Sequence, residues 1–444
     1  IRDSYIPLGA LGSFRGKVLG KPPFSKGGFP EKAKGLKMKE IKNNKPTHLI
    51  NEKIRSEDGS EFSLCIAREA DMDNIKRVYY EVYGGNYTLP EVTNSDKMKW
   101  AIHDPNFIWL LMRKEERIVG SVLFVVDPKE RLGKSLAGAV LPEFRGHNLM
   151  KKAIKRGLDY VFYEKNLVDA VYGVVRTFVP MSFHKNLKDL GFIDVGIFPN
   201  VRKISKYETH GLKVAYRDGA VENRKKEPHL IEPAKSIYDV VRLLLNLEEA
   251  ECVPYEYVTH KTFKKYEFYI EKSPEIEWEY YRERDSGKLL MSFYPFHYPE
   301  IKLYTKDKKT RIYLHYEERD GHGDVMGIAT NEPENLTDIL ENVAQYAESI
   351  GVKYLELLIN AFDPEIQKRT YEADFIPCAY FPAMKSSAEG GRIDFIVSCR
   401  NFVPLDFKEM KLTDDTRAYV LSLIHISEPT RLLSISYAVF CLKK

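Results

Sequence analysis

The sequence has little cysteine, no apolar run of membrane length and no strong excess of either charge. Its five cysteines, Cys65, Cys252, Cys378, Cys399 and Cys441, are scattered over 444 residues with no Cys-x-x-Cys pair. That excludes a zinc site built on paired cysteines and a disulfide framework, and makes a reducing cytoplasm the expected compartment; no metal is expected. The longest strongly apolar run, Ile118 to Val126, is broken by Gly120 and Ser121. It reads as a strand, and no membrane partner is expected. The visible start carries no signal peptide. A nucleotide phosphate loop is missing as well, because the glycines of residues 1–60 do not fit the spacing that ends in Gly-Lys-Ser/Thr.

Charge excludes another class. The net charge is +4, and residues 1–60 hold 13 Lys/Arg against 6 Asp/Glu, or +7, leaving 55 against 58, or −3, for the remainder. A basic, Gly/Pro-rich leader on a near-neutral body does not describe a nucleic-acid-binding protein. Residues 1–60 are therefore set apart as an unassigned leader, and since the chain begins at Ile1 an upstream start is expected. Residues 421–444 break in composition from the Glu/Lys/Asp/Tyr-rich body. They resemble translated sequencing-adapter readthrough and are excluded from fold reasoning.

What is present is a regular alternation of strand and helix signals in a chain 43% hydrophobic and long enough for two or three cores. "FSLCIAR" from Phe62 alternates as a strand, and Asp71 stands where it can cap a helix with Met72, Ile75, Val78, Tyr79, Val82 and Tyr83 on one stripe. "SDKMKWAI" reads as a short helix, and a hairpin follows with its turn at Lys114 to Arg117. The strand Lys134 to Leu141 leads through "PEFRGHN" into a helix marked by Leu149, Met150, Ala153, Ile154, Leu158, Val161 and Phe162. "VDAVYGVVR", a helix opened by Pro180, "GFIDVGIF" and "HGLKVAY" complete the series.

This order, with Pro142, Glu143, Phe144, Arg145 and Gly146 after the fourth strand, resembles the GNAT acetyltransferase superfamily. The resemblance implies that the loop and helix start, Arg145, Gly146, His147, Asn148, Leu149 and Met150, grip the pyrophosphate of acetyl-CoA through backbone N–H groups. It also implies that N–H groups near Val140 and Leu141 polarise the thioester carbonyl. Asn148 replaces a usual glycine, and Asn tolerates a left-handed backbone; Met150 replaces a small residue. "RGHNLM" and "GIFPN" are more narrowly similar to the beta-lysine acetyltransferase branch. The tyrosine that usually protonates the leaving thiolate is replaced by Leu187. Candidate bases are Glu208 and His210 in "YETHGL" and His184 on the helix after Pro180. Tyr79, Tyr80, Tyr83 and Tyr87 stand at helical spacing as core, rim or the wall of an acceptor cleft.

An internal repeat needs no family knowledge. Val168 and Pro180 match Val352 and Pro364 at an offset of 184, and Phe192 and Phe198-Pro199 match Phe375 and Phe381-Pro382 at 183. The second copy has no Arg-Gly before its helix near Asn335, and Glu332 and Glu334 would repel a pyrophosphate there. The expected fold is α/β (α+β): GNAT-like domains at 61–220 and 221–420, each a mixed, mostly antiparallel sheet flanked by helices. The expected function is acetyl transfer from acetyl-CoA to a small amine of amino-acid or polyamine type. The alternatives are a CoA-binding sensor or scaffold, and an acyltransferase for longer acyl-CoA or acyl carrier protein. A second half used only for dimerisation is the plainer alternative to a degenerate copy, and leaves a homodimer open.

Overall fold

The computed structural model describes residues 50–427 apart from 86, 204–205, 256–261 and 406–409. Most of the leader, and residues 428–444 of the composition break, lie outside the described residues. The first half contains β1 (Asn51–Arg55), β2 (Glu61–Ile66), α1 (Met72–Tyr83), α2 (Pro90–Thr93), α3 (Ser95–His103), β3 (Phe107–Lys114), β4 (Arg117–Asp127) and β5 (Leu132–Val140). It continues through α4 (Leu149–Asp159), β6 (Ala170–Arg176), α5 (Met181–Asp189), β7 (Ile193–Lys203) and β8 (Tyr207–Tyr216). The second half contains β9 (His229–Ile231), α6 (Glu232–Leu245), β10 (Glu251–Val253), β11 (Tyr269–Lys272), α7 (Glu275–Asp285), β12 (Ile301–Tyr304), β13 (Arg311–Glu317) and β14 (His322–Ala329). It ends with α8 (Leu336–Ser349), β15 (Tyr354–Asn360), α9 (Pro364–Glu372), β16 (Ile376–Ser386), β17 (Arg392–Asn401) and α10 (Asp414–Ser427).

Among the described residues fifteen strands form one mixed sheet, and β9 and β10 a small second one. From each outer side inward, β2-β3-β4-β5-β6-β8-β7 and β11-β12-β13-β14-β15-β17-β16 follow the same order. In each, one neighbouring pair is parallel, β5 with β6 and β14 with β15, and the rest are antiparallel. The two series meet where β7 and β16 pair at Gly196 and Ala379. Gly196 lets them meet, since a Cβ there would lie 2.1 Å from the Ala379 Cβ. Helix α10 is tied to the join: Tyr419 donates to the Asp194 carbonyl at 2.8 Å, and buried Lys213 pairs with the Asp194 carboxylate at 2.6 Å.

Each face of the first-half sheet buries its own cluster. Ile75, Tyr79, Met98 and Trp109 pack under α1 and α3, and Leu110, Phe124, Ile154 and Leu158 pack under α4. A larger core runs through both halves and includes Val195, Tyr238, Tyr380 and Tyr419.

Three local expectations change. β1 lies in the stretch assigned to the leader; its side chains are almost all exposed, so an edge strand there shows no apolar alternation. Asp71 precedes α1 but caps no amide of it: its carboxylate accepts from the Arg68 N–H at 3.0 Å and pairs with Arg113 at 2.5 Å. The helix after the loop is α-helical to Asp159 and ends in a π turn, Tyr160–Glu164, which turns Tyr160, Val161 and Phe162 inward. In addition, α10 crosses the composition break at 421, with Leu423 and Ile424 buried. Among the described residues no helix is long and apolar enough to cross a membrane.

Candidate active site

The parallel pair of the first half opens a gap. β5 and β6 are in register only over Leu132–Lys134 and Ala170–Tyr172. Beyond that point β5 stays with β4 and β6 stays with β8, as Gly173 to Arg176 pair with Lys213 to His210. A bulge fixes the split on β5: Ser121 faces Ala139 and Leu123 faces Leu136, so Ala137 and Gly138 stand against the single residue Val122. Ala137 takes φ 54°, and two helix tyrosines secure the distortion. Tyr79 donates to the Ala137 carbonyl and Tyr83 to the Gly138 carbonyl, the latter at 3.1 Å. Tyr79 is thus core, Tyr83 and Tyr87 line the cavity described below, and Tyr80 is exposed.

At the end of β5 the two expected carbonyl donors separate. The Leu141 N–H is bonded to the Val119 carbonyl at 2.9 Å, which corrects its expected role. In an antiparallel ladder successive N–H groups point to opposite sides, so the Val140 N–H turns away from β4 toward the gap. The loop then adopts the backbone its sequence permits, with Gly146 at φ 89° and Asn148 at φ 56°. Asn148 is the N-cap of α4 by position, yet its side chain caps nothing, so the first-turn amides of α4 have no side-chain acceptor. Leu149 is buried, Met150 packs over Gly138 and lines the cavity, and the exposed Arg145 donates through Nε to the Val140 carbonyl at 3.2 Å. Two carboxylates of the β1–β2 turn also reach the loop. Glu57 accepts from the Asn148 amide at 2.8 Å, and Asp58 lies 3.3 Å from His147 Nδ1.

Of the three candidate bases, Glu208 and His210 lie side by side and His184 stands apart. Glu208 is forked by Arg176 through two bonds of 2.8 Å. Burial alone would raise its pKa, but the neighbouring His210 and Arg176 outweigh that and hold it at about 2. Glu208 therefore cannot take a proton near neutral pH, which corrects the expectation. His184 is buried on α5, burial lowers its pKa, and it does not line the cavity. His210 does line it. Burial lowers the pKa of this imidazole against the opposing pull of Glu208, whose carboxylate lies 3.8 Å from Nε2. Leu187, at the position of the missing tyrosine, is an apolar part of the same wall.

The cavity, about 510 Å³, is walled by both halves. Lys134, Tyr172, Arg176 and His210 line it from the first half, and Tyr294, His297, His322, Asp324 and Glu356 from the second. Enclosure and the nearby Arg202 pull the Lys134 ammonium down to about 8. Asp324 is fully buried, with His322 Nε2 at 2.8 Å from Oδ1 and His297 Nδ1 at 2.7 Å from Oδ2. Sequence reasoning missed this group because its members are spread over β14, β15 and the segment before β12. The signal available was the alternation His322-x-Asp324, which puts both side chains on one face of a strand. In the second half the place before α8 is taken by Glu332, which Lys264, Asn335 and Tyr266 hold at about 2.

Comparison with known proteins locates the family signal in the part just described. Residues 71–176 match the sequence model of the acetyltransferase (GNAT) family. This segment is a GNAT acetyltransferase domain. It spans α1 to the end of β6, with the bulge, loop and gap inside it. Among solved structures, the chain is similar to a spermidine N-acetyltransferase from Vibrio cholerae in complex with CoA and spermine, at 19% identity and a TM-score of 0.31, over 35% of this chain and 95% of that one. A ribosomal-protein-S5-alanine acetyltransferase from Vibrio fischeri gives 16% identity and a TM-score of 0.32, over 38% and 97%. No curated protein matches the chain.

Proposed function

We propose that the chain is an N-acetyltransferase that moves an acetyl group from acetyl-CoA to the amine of a small molecule of amino-acid or polyamine type. The observation that carries this reading is the gap between β5 and β6, with the bulge at Ala137 and Gly138 beside it and the uncapped start of α4 at its end. We also take the chain to be a tandem of GNAT-like domains, 61–220 and 221–420, supported by the repeated strand order. Glu332 and the absence of Arg-Gly speak against a second CoA site.

The residues divide the chemistry as follows. The α4 amides and Arg145 hold the pyrophosphate, where the helix dipole and a guanidinium both favour negative charge. The thioester supplies an activated acetyl carbon. Val140 N–H faces the oxygen on which charge develops as the amine attacks. His210 Nε2 takes the amine proton while the C–N bond forms and the C–S bond breaks, and the Arg176-bound Glu208 carboxylate beside it favours the resulting imidazolium. A thiol of ordinary pKa, about 8.5, leaves as thiolate without the acid that Leu187 cannot supply. A second reading, CoA binding without turnover, is favoured by Leu187 alone.

The test incubates the full chain with acetyl-CoA and a panel of amino acids and polyamines and follows release of free CoA thiol. Thiol release that depends on an amine and falls at least tenfold in His210→Gln supports transfer. Saturable CoA binding with no release for any amine favours the second reading, and absence of binding refutes both.

A further inference from the structure

In the second half the parallel pair carries a different set of side chains at the same register. Where β5 and β6 oppose Leu132 to Ala170 and Lys134 to Tyr172, β14 and β15 oppose His322 to Tyr354 and Asp324 to Glu356. Asp324 and Glu356 are direct neighbours across the pair, and His322 shares their face two residues earlier. His297 approaches from the segment before β12, and all four line the cavity.

We propose that His322, Asp324 and Glu356 form a binding site for one divalent first-row transition-metal ion of the zinc class. The ligating atoms of His322, Asp324 and Glu356 lie within 4.8 Å of one another, and all three residues are buried. The set is one imidazole and two carboxylates, and the imidazole suits zinc and its neighbours rather than calcium or magnesium, which take oxygen alone. Independent of that convergence, a donor atom is left over. Glu356 is 5% exposed; Oε1 accepts from Tyr294, while Oε2, 3.9 Å from His322 Nε2, has no hydrogen-bond partner. Asp324 is held by His322 Nε2 at 2.8 Å and by His297 Nδ1 at 2.7 Å, so the atom left over is Glu356 Oε2. A network built only for structure would pair such an atom, because each buried polar group without a partner costs stability. His315, also close to His297 and Asp324, has its Nδ1 engaged at 2.9 Å by Glu300 and at 3.1 Å by the Tyr298 carbonyl. With His297 it borders the site rather than forming it. The proposal does not depend on acyl transfer.

The full chain, stripped with a chelator and dialysed, is titrated with Co²⁺ while visible absorption is recorded, then with Zn²⁺ by calorimetry. One ion per chain is expected, with ligand-field bands that Zn²⁺ abolishes. Glu356→Gln and His322→Gln should each weaken binding about tenfold or more, while His315→Gln stays within about threefold. Melting temperatures establish that each variant is folded, and Asp324→Asn serves where another is not. A folded wild-type chain that takes up neither ion overturns the proposal, as does unchanged affinity in the folded ligand variants.

Discussion

β7 and β16 pair at one glycine, and Gly196→Ala tests that contact. A Cβ at this position would lie 2.1 Å from the Ala379 Cβ, 2.3 Å from its Cα and 2.7 Å from the Cys378 carbonyl oxygen. Carbon atoms in contact sit about 3.5–4.0 Å apart, so the strands must separate by well over 1 Å (roughly the difference between the two). Two of the three atoms are backbone, and β7 and β16 are each held on their other side by β8 and β17. No flexible side-chain end can absorb the clash. Overpacking of this kind costs about 1–3 kcal/mol and occasionally more; the upper end applies here. For one cooperative unit as large as this continuous sheet about 3 kcal/mol lowers the melting temperature by roughly 4 °C. Gly211→Ala in the neighbouring strand is the control, since a Cβ there meets nothing closer than 3.7 Å. Calorimetry on both variants decides the matter. Equal melting temperatures for Gly196→Ala and wild type would refute the continuous sheet, and with it a cavity walled by both halves.

Four further outcomes follow from the site. Glu208, held at about 2 rather than near 4.5, contributes about 3 kcal/mol that is present above pH 4.5 and lost as pH falls toward 2. Arg176→Met should reduce this acid-side loss in a stability profile taken from pH 7 down to 3, and an unaltered profile contradicts the assignment. Glu57→Gln with Asp58→Asn removes two negative charges from the loop and should tighten CoA binding about two- to tenfold at low salt, with the gain shrinking as salt rises; weaker binding would show that these carboxylates order the loop instead. His184→Leu should leave kcat/KM within about threefold and the melting temperature equal or higher, because a buried imidazole without partners is exchanged for an apolar group. A large fall in kcat alone would return His184 to the catalytic candidates. Tyr83→Phe deletes one bond to the bulge and should cost about 1 kcal/mol while raising KM for acetyl-CoA; an unchanged KM would separate the bulge from the cofactor.

The legible part of the chain was the part with a helical stripe or an apolar run. α1 and α4 bury one stripe each, and β3, β4, β7 and β8, buried on both faces, stand out as apolar runs between turn residues, so the order of elements could be read. Asn148 was legible for a different reason: few residues other than glycine accept its backbone angles. β1 was not, because a polar edge strand has no buried face. Asp71 was misread because a carboxylate before a helix is a cap only if no stronger partner is near, and Arg113 comes from β3, far along the chain. The His322, Asp324 and Glu356 group depends on the register between β14 and β15, which local composition does not encode. Glu208 looked like a base until the fold supplied Arg176.

The central claim is that one acetyl-CoA binds per chain, at the loop of the first half. Calorimetric titration of the full chain with acetyl-CoA, beside Arg145→Glu, tests it most directly. The account predicts a stoichiometry of one and binding weakened at least tenfold by the substitution. Two sites per chain, no binding by a folded sample, or equal affinity in Arg145→Glu would contradict it.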